Sequence, residues 1–175
     1  MFLWIDLEMT GLDATTDRIL EVAVVVTDSN YMERETWDTA VYQPPAVLEA
    51  MSAWCVEHHG ASGLTERVPQ GLPEKEVDAR LAATIHNHWG EEPAVLCGNS
   101  IHQDRKFIDR WLPLTAGRLH YRMLDVSAFK VLFRERYNVV FEKRNTHRAL
   151  DDIRESIAEL RHYEKFIRVP TGEGG

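Results

Sequence analysis

The sequence contains little cysteine and no long apolar run. Its two cysteines, Cys55 and Cys97, form neither a disulfide framework nor a CxxC metal site. No segment approaches the roughly 18 consecutive apolar residues that cross a membrane. The N-terminal apolar stretch is too short for a signal peptide, lacks a preceding basic segment and is interrupted by Asp6. We therefore expect a cytoplasmic protein without a membrane partner.

The sequence also lacks an excess of positive charge. Its formal net charge is −8, so we expect no broad basic surface and no long duplex nucleic acid as a partner. It contains no repeats, low-complexity tracts or linkers. These features predict a single domain over residues 1–168, followed by a disordered tail at 169–175 whose composition is polar and glycine-rich.

Hydrophobic periodicity predicts an α/β fold. Three strands at the N-terminus form an antiparallel meander, and helices and strands then alternate, which predicts a mixed sheet flanked by helices on both faces. Ser127 is a plausible N-cap of the penultimate helix. The predicted strands are residues 2–9, 19–28, 35–43, 93–99 and 119–126, and the predicted helices are 46–60, 72–90, 103–112, 127–137 and 147–167.

Two carboxylates end the first predicted strand. Asp6 and Glu8 flank Leu7, and because strand side chains alternate between faces, the two acids point the same way. They repel each other unless a cation lies between them, and Mg²⁺ and Mn²⁺ prefer such oxygen ligands. A solvated sheet edge is the alternative, but the apolar residues before Asp6 are typical of a central strand.

Further acids could complete a metal site. Asp104, Asp125 and the neighbouring pair Asp151 and Asp152 are candidates, and each could instead be a surface or helix-terminal acid. Periodicity barely separates Asp151 from Asp152. Asp152 is weakly favoured because small residues on its side of the helix allow a closer approach to the sheet.

One histidine lies close in sequence to these acids and is a candidate catalytic residue. His147 precedes Asp152 by five positions at the start of the last predicted helix. Seven other histidines compete with it, and a lone histidine is more often an ordinary residue than a catalyst. His86 and His88 are two apart on a helix, so they do not share a face and do not predict a zinc site.

Together these segments resemble a known family. The stretches "WIDLEMTGLD", "CGNSIHQDRKF", "HYRMLDVS" and "THRALDDIRESIAEL" are similar to the oligoribonuclease subgroup of the DEDD exonucleases, in the branch with a catalytic histidine. The resemblance extends from about residue 2 to residue 167. It implies a ribonuclease-H-like fold and 3′-to-5′ hydrolysis of very short RNA, especially 5′-phosphorylated dinucleotides, to 5′-mononucleotides.

The resemblance also implies roles for individual residues. It assigns four carboxylates to the site of two Mg²⁺ or Mn²⁺ ions, His147 to the general base, and Asp125 to a structural role. Leu12 separates the substrate bases, Trp54 lies against one of them, and Tyr121 reaches into the site of a homodimer partner. The implied metal ligands are Asp6, Glu8, Asp104 and Asp152, and the implied 5′-phosphate contacts are His59, Ser100, Arg122 and Ser127.

One family match has a competing neighbour, and one residue and one segment differ from the family. His58 competes with His59, whose alternative role is to cap helix carbonyls before Gly60. His102 replaces a small residue of the family beside Asp104, and the segment 138–147 is shorter than in the family.

Two other functions remain open. The protein could be a DNA exonuclease of the same fold, which a comparison of matched DNA and RNA oligomers would test. It could also be a catalytically silent nucleic-acid-binding module, but the complete set of catalytic residue types disfavours this.

Overall fold

A computed structural model describes residues 1–142 and 148–168. Its centre is one five-stranded sheet with the order β3-β2-β1-β4-β5. β1 pairs with β2, and β2 with β3, in antiparallel fashion, whereas β4 runs parallel to β1 and β5 parallel to β4. The strands are β1 (Phe2–Met9), β2 (Ile19–Thr27), β3 (Glu33–Ala40), β4 (Ala94–Gly98) and β5 (Leu119–Asp125).

Eight α-helices of the described residues accompany this sheet, together with a 3₁₀ turn at Val68–Gln70. None of the helices in the described ranges is long and apolar enough to span a membrane. The helices are α1 (Pro45–Glu49), α2 (Ala53–Ala61), α3 (Leu64–Arg67), α4 (Glu74–Trp89), α5 (His102–Trp111), α6 (Pro113–Ala116), α7 (Val126–Tyr137) and α8 (Ala149–Glu164).

Alternation along β1 explains why helices cover both faces of the sheet. Leu3 and Ile5 pack on one face in a core that includes residues of α4 and α5. Trp4 points to the opposite face, where α7 and α8 pack. All nine residues of β2 are buried, as expected for a strand that is covered on both sides. The predicted mixed sheet with helices on both faces is confirmed.

Two local predictions are wrong. The predicted single helix at 46–60 is two helices, because Ser52 interrupts it and its side chain accepts a hydrogen bond from the Cys55 N–H as the N-cap of α2. The N-cap of α7 is Asp125 rather than Ser127. The Asp125 carboxylate accepts the Ser127 N–H at 2.9 Å, so the helix begins one residue earlier than predicted.

Candidate active site

Three carboxylates meet beside the end of β1. Ligand oxygens of Asp6, Glu8 and Asp152 lie within 4.8 Å of one another. Asp6 and Glu8 share a face of β1, and α8 packs across that face through buried residues such as Ile153. The sheet and the helix thus bring together acids that are almost 150 residues apart in sequence, and the choice of Asp152 over Asp151 agrees with this geometry.

Asp104 adjoins the cluster from α5. It is buried, and its Oδ1 accepts a hydrogen bond of 3.0 Å from the N–H of Leu7. The backbone between Asp6 and Glu8 therefore holds this fourth acid next to the other three. Burial raises the pKa of Asp104 to about 7, although the Leu7 N–H opposes this change.

The pKa of Glu8 is raised both by burial and by the negative charges around it. Burial is the largest cause that raises its pKa to about 7, and the charges of Glu21, Asp152 and Asp104 add to it. Glu21 lies directly opposite Glu8 in the β1–β2 pairing. The pairing is irregular immediately after Glu8, as in a β-bulge, a feature that often lies beside active sites.

This donor set fits a divalent cation. Carboxylates so close together repel one another, and a hard cation such as Mg²⁺ or Mn²⁺ would relieve the repulsion and accept their oxygens as ligands. Asp6, Glu8 and Asp152 would hold it, with Asp104 adjacent. The fifth residue of the predicted catalytic set, His147, lies outside the described residues.

The His59 ring lies against the end of β1, beside Glu8, rather than at the end of its own helix. It is only 1% exposed, and its Nε2–H donates to the Met9 carbonyl at 2.9 Å. Its Nδ1 faces Oε2 of Glu8 at 3.9 Å. The alternative role of capping carbonyls before Gly60 is therefore not its observed contact. Its neighbour His58 instead stacks on Trp54, with ring centroids 4.7 Å apart.

Ser100 and Ser127 form a second polar group near the carboxyl ends of β4 and β5. Their Oγ atoms are 3.1 Å apart, and the Ser100 N–H donates to both Ser127 Oγ and Asp125 Oδ1. Ser100 has a positive φ of 50°, which is uncommon outside glycine and is often found at functional sites. His102 approaches the same group, with Nδ1 3.6 Å from Asp125 Oδ2.

The remaining predicted substrate residues are exposed. Leu12 is 75% exposed in the β1–β2 loop, and Trp54 is 66% exposed on α2. Tyr121 and Arg122 lie on the edge strand β5, with the Arg122 guanidinium 5.2 Å from the centre of the Tyr121 ring. Their described contacts are with each other and with His120 rather than with the two serines.

Sequence reasoning missed Asn99, which links the serine group to α8. Its Nδ2 donates to Ser156 Oγ at 2.7 Å and to the buried Glu159 at 3.1 Å. Ser156 in turn donates to the Asp152 carbonyl. The available signal was the position of Asn99 at the end of the predicted strand 93–99, but an amide there does not reveal its partners.

Fold and site together define a ribonuclease-H-like exonuclease. An exonuclease family model (RNase_T) matches residues 3–160. Oligoribonuclease from Halorhodospira halophila is 47% identical over 175 residues, with 97% of this chain and 96% of the relative covered. Oligoribonuclease from Pseudomonas aeruginosa PAO1 is 46% identical, with 95% and 96% covered. The chain belongs to the exonuclease family and, within it, to the oligoribonucleases, and it is thus a nuclease.

Solved structures support the fold assignment. E. coli exonuclease I in complex with a dA16 oligonucleotide has a TM-score of 0.70 at 14% identity, and the match covers 95% of this chain. A zinc-bound form of the same enzyme with single-stranded DNA has a TM-score of 0.71 at 17% identity. This chain spans only about two-fifths of exonuclease I, with 41% and 40% covered in the two structures.

Proposed function

We propose that this protein is a 3′-to-5′ exoribonuclease that degrades very short RNA oligonucleotides, above all 5′-phosphorylated dinucleotides, to 5′-mononucleotides. The observation that carries the proposal is the convergence of Asp6, Glu8 and Asp152 within 4.8 Å in a chain that matches oligoribonucleases over nearly its full length. The substrate class comes from the names of those relatives, and the preference for dinucleotides from the family resemblance.

The carboxylates would hold two Mg²⁺ or Mn²⁺ ions, and such ions stabilise charge on a phosphate and ease deprotonation of water. Asp6, Glu8 and Asp152 would supply ligands directly. Asp104 is fixed by the Leu7 N–H and would complete the set. Without cations, the clustered carboxylates of Asp6, Glu8 and Asp152 would repel a phosphodiester, so we expect activity to require the metal.

His147 is assigned as the general base. An imidazole has an ordinary pKa near 6.5, so its neutral form can take a proton from water close to neutral pH. Its sequence position just before α8 supports the assignment, because Asp152 lies in the first turn of that helix.

Other residues would bind the bases and the 5′ phosphate of the substrate. Leu12 and Trp54 offer exposed apolar surface to bases, and aromatic side chains stack on bases of any sequence. Ser100 and Ser127 place two hydroxyl groups together, which is suitable chemistry for a 5′ phosphate, and Arg122 would add a cation. If these residues enclose the phosphate, the site would end there and would favour a dinucleotide over a longer chain.

A homodimer is proposed from the surface of β5. This strand ends the sheet, and an exposed edge is normally covered or paired. Tyr121 and Met123 present apolar side chains there, and Val131 and Leu132 of α7 are exposed as well. Tyr121 would reach into the partner's site.

The cytoplasm is the proposed location, because both cysteines are buried free thiols, which suits a reducing compartment.

The direct test is hydrolysis of matched RNA and DNA dinucleotides by the full chain. With Mg²⁺ or Mn²⁺, the RNA substrate should yield 5′-mononucleotides, EDTA should stop the reaction, and added metal should restore it. Asp6→Asn should be folded by circular dichroism but inactive. Preferential cleavage of DNA would instead favour a DNA exonuclease, and binding of RNA without cleavage would favour a silent binding module.

A further inference from the structure

The loop between β1 and β2 is closed around one carboxylate. Asp17 Oδ1 accepts the Thr10 hydroxyl at 3.0 Å, and its Oδ2 accepts the Asp13 N–H at 2.9 Å. Backbone bonds cross the same loop, from the Thr10 N–H to the Arg18 carbonyl and from the Asp17 N–H to the Asp13 carbonyl. Leu12 lies inside this frame, so its backbone is held although its side chain extends into solvent.

Gly11 makes this closure possible. A Cβ at this position would lie 2.4 Å from Oδ2 of Asp17, well inside contact distance. The absence of a side chain thus lets the loop backbone pass directly over the carboxylate. Thr10 and Asp13, which bracket Gly11 and Leu12, both donate to the Asp17 carboxylate.

A side chain of α5 joins this frame to the carboxylate site. The Nε2–H of Gln103 donates to the backbone carbonyl of Leu12, and its Oε1 accepts the Lys106 ammonium at 3.2 Å. The next residue, Asp104, accepts the Leu7 N–H. Two adjacent residues of α5 therefore contact the Leu12 loop and β1, the strand that carries Asp6 and Glu8.

We propose that Gln103 is a positioning residue that determines where Leu12 stands relative to the carboxylates. Leu12 is 75% exposed, so packing of its own side chain does little to place it, and the hydrogen bond at its carbonyl ties it to the helix that bears Asp104. This inference rests on the proposed function, in which Leu12 separates two substrate bases. Gln103 would then affect substrates with two bases and spare those with one.

A double-mutant cycle on two substrates tests this role. Gln103→Met keeps the side-chain volume and removes the donor, Leu12→Ala removes the contact to the bases, and the double variant combines them. The substrates are a 5′-phosphorylated RNA dinucleotide and p-nitrophenyl thymidine 5′-monophosphate, which has a single base. Lys106→Met is the matched control, because it removes the other hydrogen bond of Gln103 and leaves the bond to Leu12.

Gln103→Met should raise KM for the dinucleotide by roughly three- to tenfold, the factor expected for one hydrogen bond. Its kcat on the single-base ester should match that of the wild type. The double variant should be no worse than Leu12→Ala, and Lys106→Met should behave as the wild type. Gln103→Ala, which also removes the donor, should raise KM for the dinucleotide in the same way and so controls for an effect of the introduced methionine side chain.

Four outcomes would overturn the role. An equal loss on both substrates would mean that Gln103 acts through Asp104, and additive effects in the double variant would mean that it does not act through Leu12. An unchanged KM for the dinucleotide would mean that the bond has no bearing on the substrate. If the wild type cleaves the ester but no dinucleotide, the proposed function itself fails, and this role fails with it.

Discussion

The backbone N–H of Leu7 donates a hydrogen bond of 3.0 Å to Oδ1 of Asp104. Leu7 stands between Asp6 and Glu8, and its side chain packs in the core on the opposite face of the sheet. One residue therefore anchors β1 in the core and places the acid of α5 beside the other carboxylates. The site depends on backbone geometry as much as on the identity of its acids.

Asp104→Asn and Asp104→Ala should separate the structural and chemical parts of this contact. Asparagine can still accept the Leu7 N–H, whereas alanine leaves that buried donor unpaired at a cost of about 1–3 kcal/mol. Denaturant unfolding in EDTA should show Asp104→Ala to be the less stable variant by that amount. Both should lose hydrolysis. Equal stability of the two variants would show that the hydrogen bond contributes nothing.

The metal-free protein should lose stability as pH rises from about 4 to 7. Burial raises the pKa of Glu8 and of Asp104 to about 7, whereas unfolded carboxyl groups titrate near 4. Between these values the folded state binds more protons, so rising pH favours unfolding. Because each pKa unit corresponds to about 1.4 kcal/mol, the loss should reach several kcal/mol.

Thermal melts in EDTA at pH 5 and pH 7.5 measure this loss. Asp104→Asn is the matched control, since it removes one of the two groups and should show a smaller decrease. Mg²⁺ or Mn²⁺ at pH 7.5 should restore the wild type more than the variant. If the wild type lost no more stability between pH 5 and pH 7.5 than Asp104→Asn does, the proposed crowding of negative charge in this site would be wrong.

His147→Ala should lower kcat by roughly 10²–10⁴-fold, the usual contribution of a general base. Metal binding should survive, because the four acids remain. Calorimetric titration with Mn²⁺ in parallel with the rate measurement distinguishes the roles. A loss of Mn²⁺ affinity as severe as the loss of rate would make His147 a ligand.

Tyr121→Ala should lose activity if the tyrosine completes a partner's site. Mixing it with Asp6→Asn tests the sharing directly, because a mixed dimer contains one site with both an intact acid cluster and an intact tyrosine. Activity should reappear on mixing, and light scattering should show a dimer at assay concentration. A fully active monomer would refute the arrangement.

The sequence predicted the sheet and the shared face of Asp6 and Glu8 because both follow from short-range patterns, whereas the resemblance supplied the assignment of Asp104 and Asp152. Alternation along β1 puts Asp6 and Glu8 on one face, and periodicity along α8 gives its buried stripe. Periodicity favoured Asp152 over Asp151 only weakly, since the two differ by one helical position. Only the packing of α8 on β1 shows which of them faces the other acids.

Hydrogen bonds between distant segments were not predictable from such patterns. Nothing in the spacing of Gln103 indicates that it donates to Leu12, and the turn residues around Gly11 predict a loop without showing that Asp17 closes it. The helix break at Ser52 was missed because the apolar pattern continues through it. In each case the deciding partner is set by tertiary contact rather than by the local sequence.

The proposed preference for 5′-phosphorylated dinucleotides predicts how the cleavage rate depends on substrate length. RNAs of two to seven nucleotides are compared with and without the 5′ phosphate, in the wild type and in Arg122→Ala. We expect the phosphorylated dinucleotide to be the best substrate, loss of the phosphate to weaken binding by roughly ten- to a hundredfold, and Arg122→Ala to flatten the length preference. A rate that rises with length, or that ignores the phosphate, would contradict the account and indicate a general exonuclease.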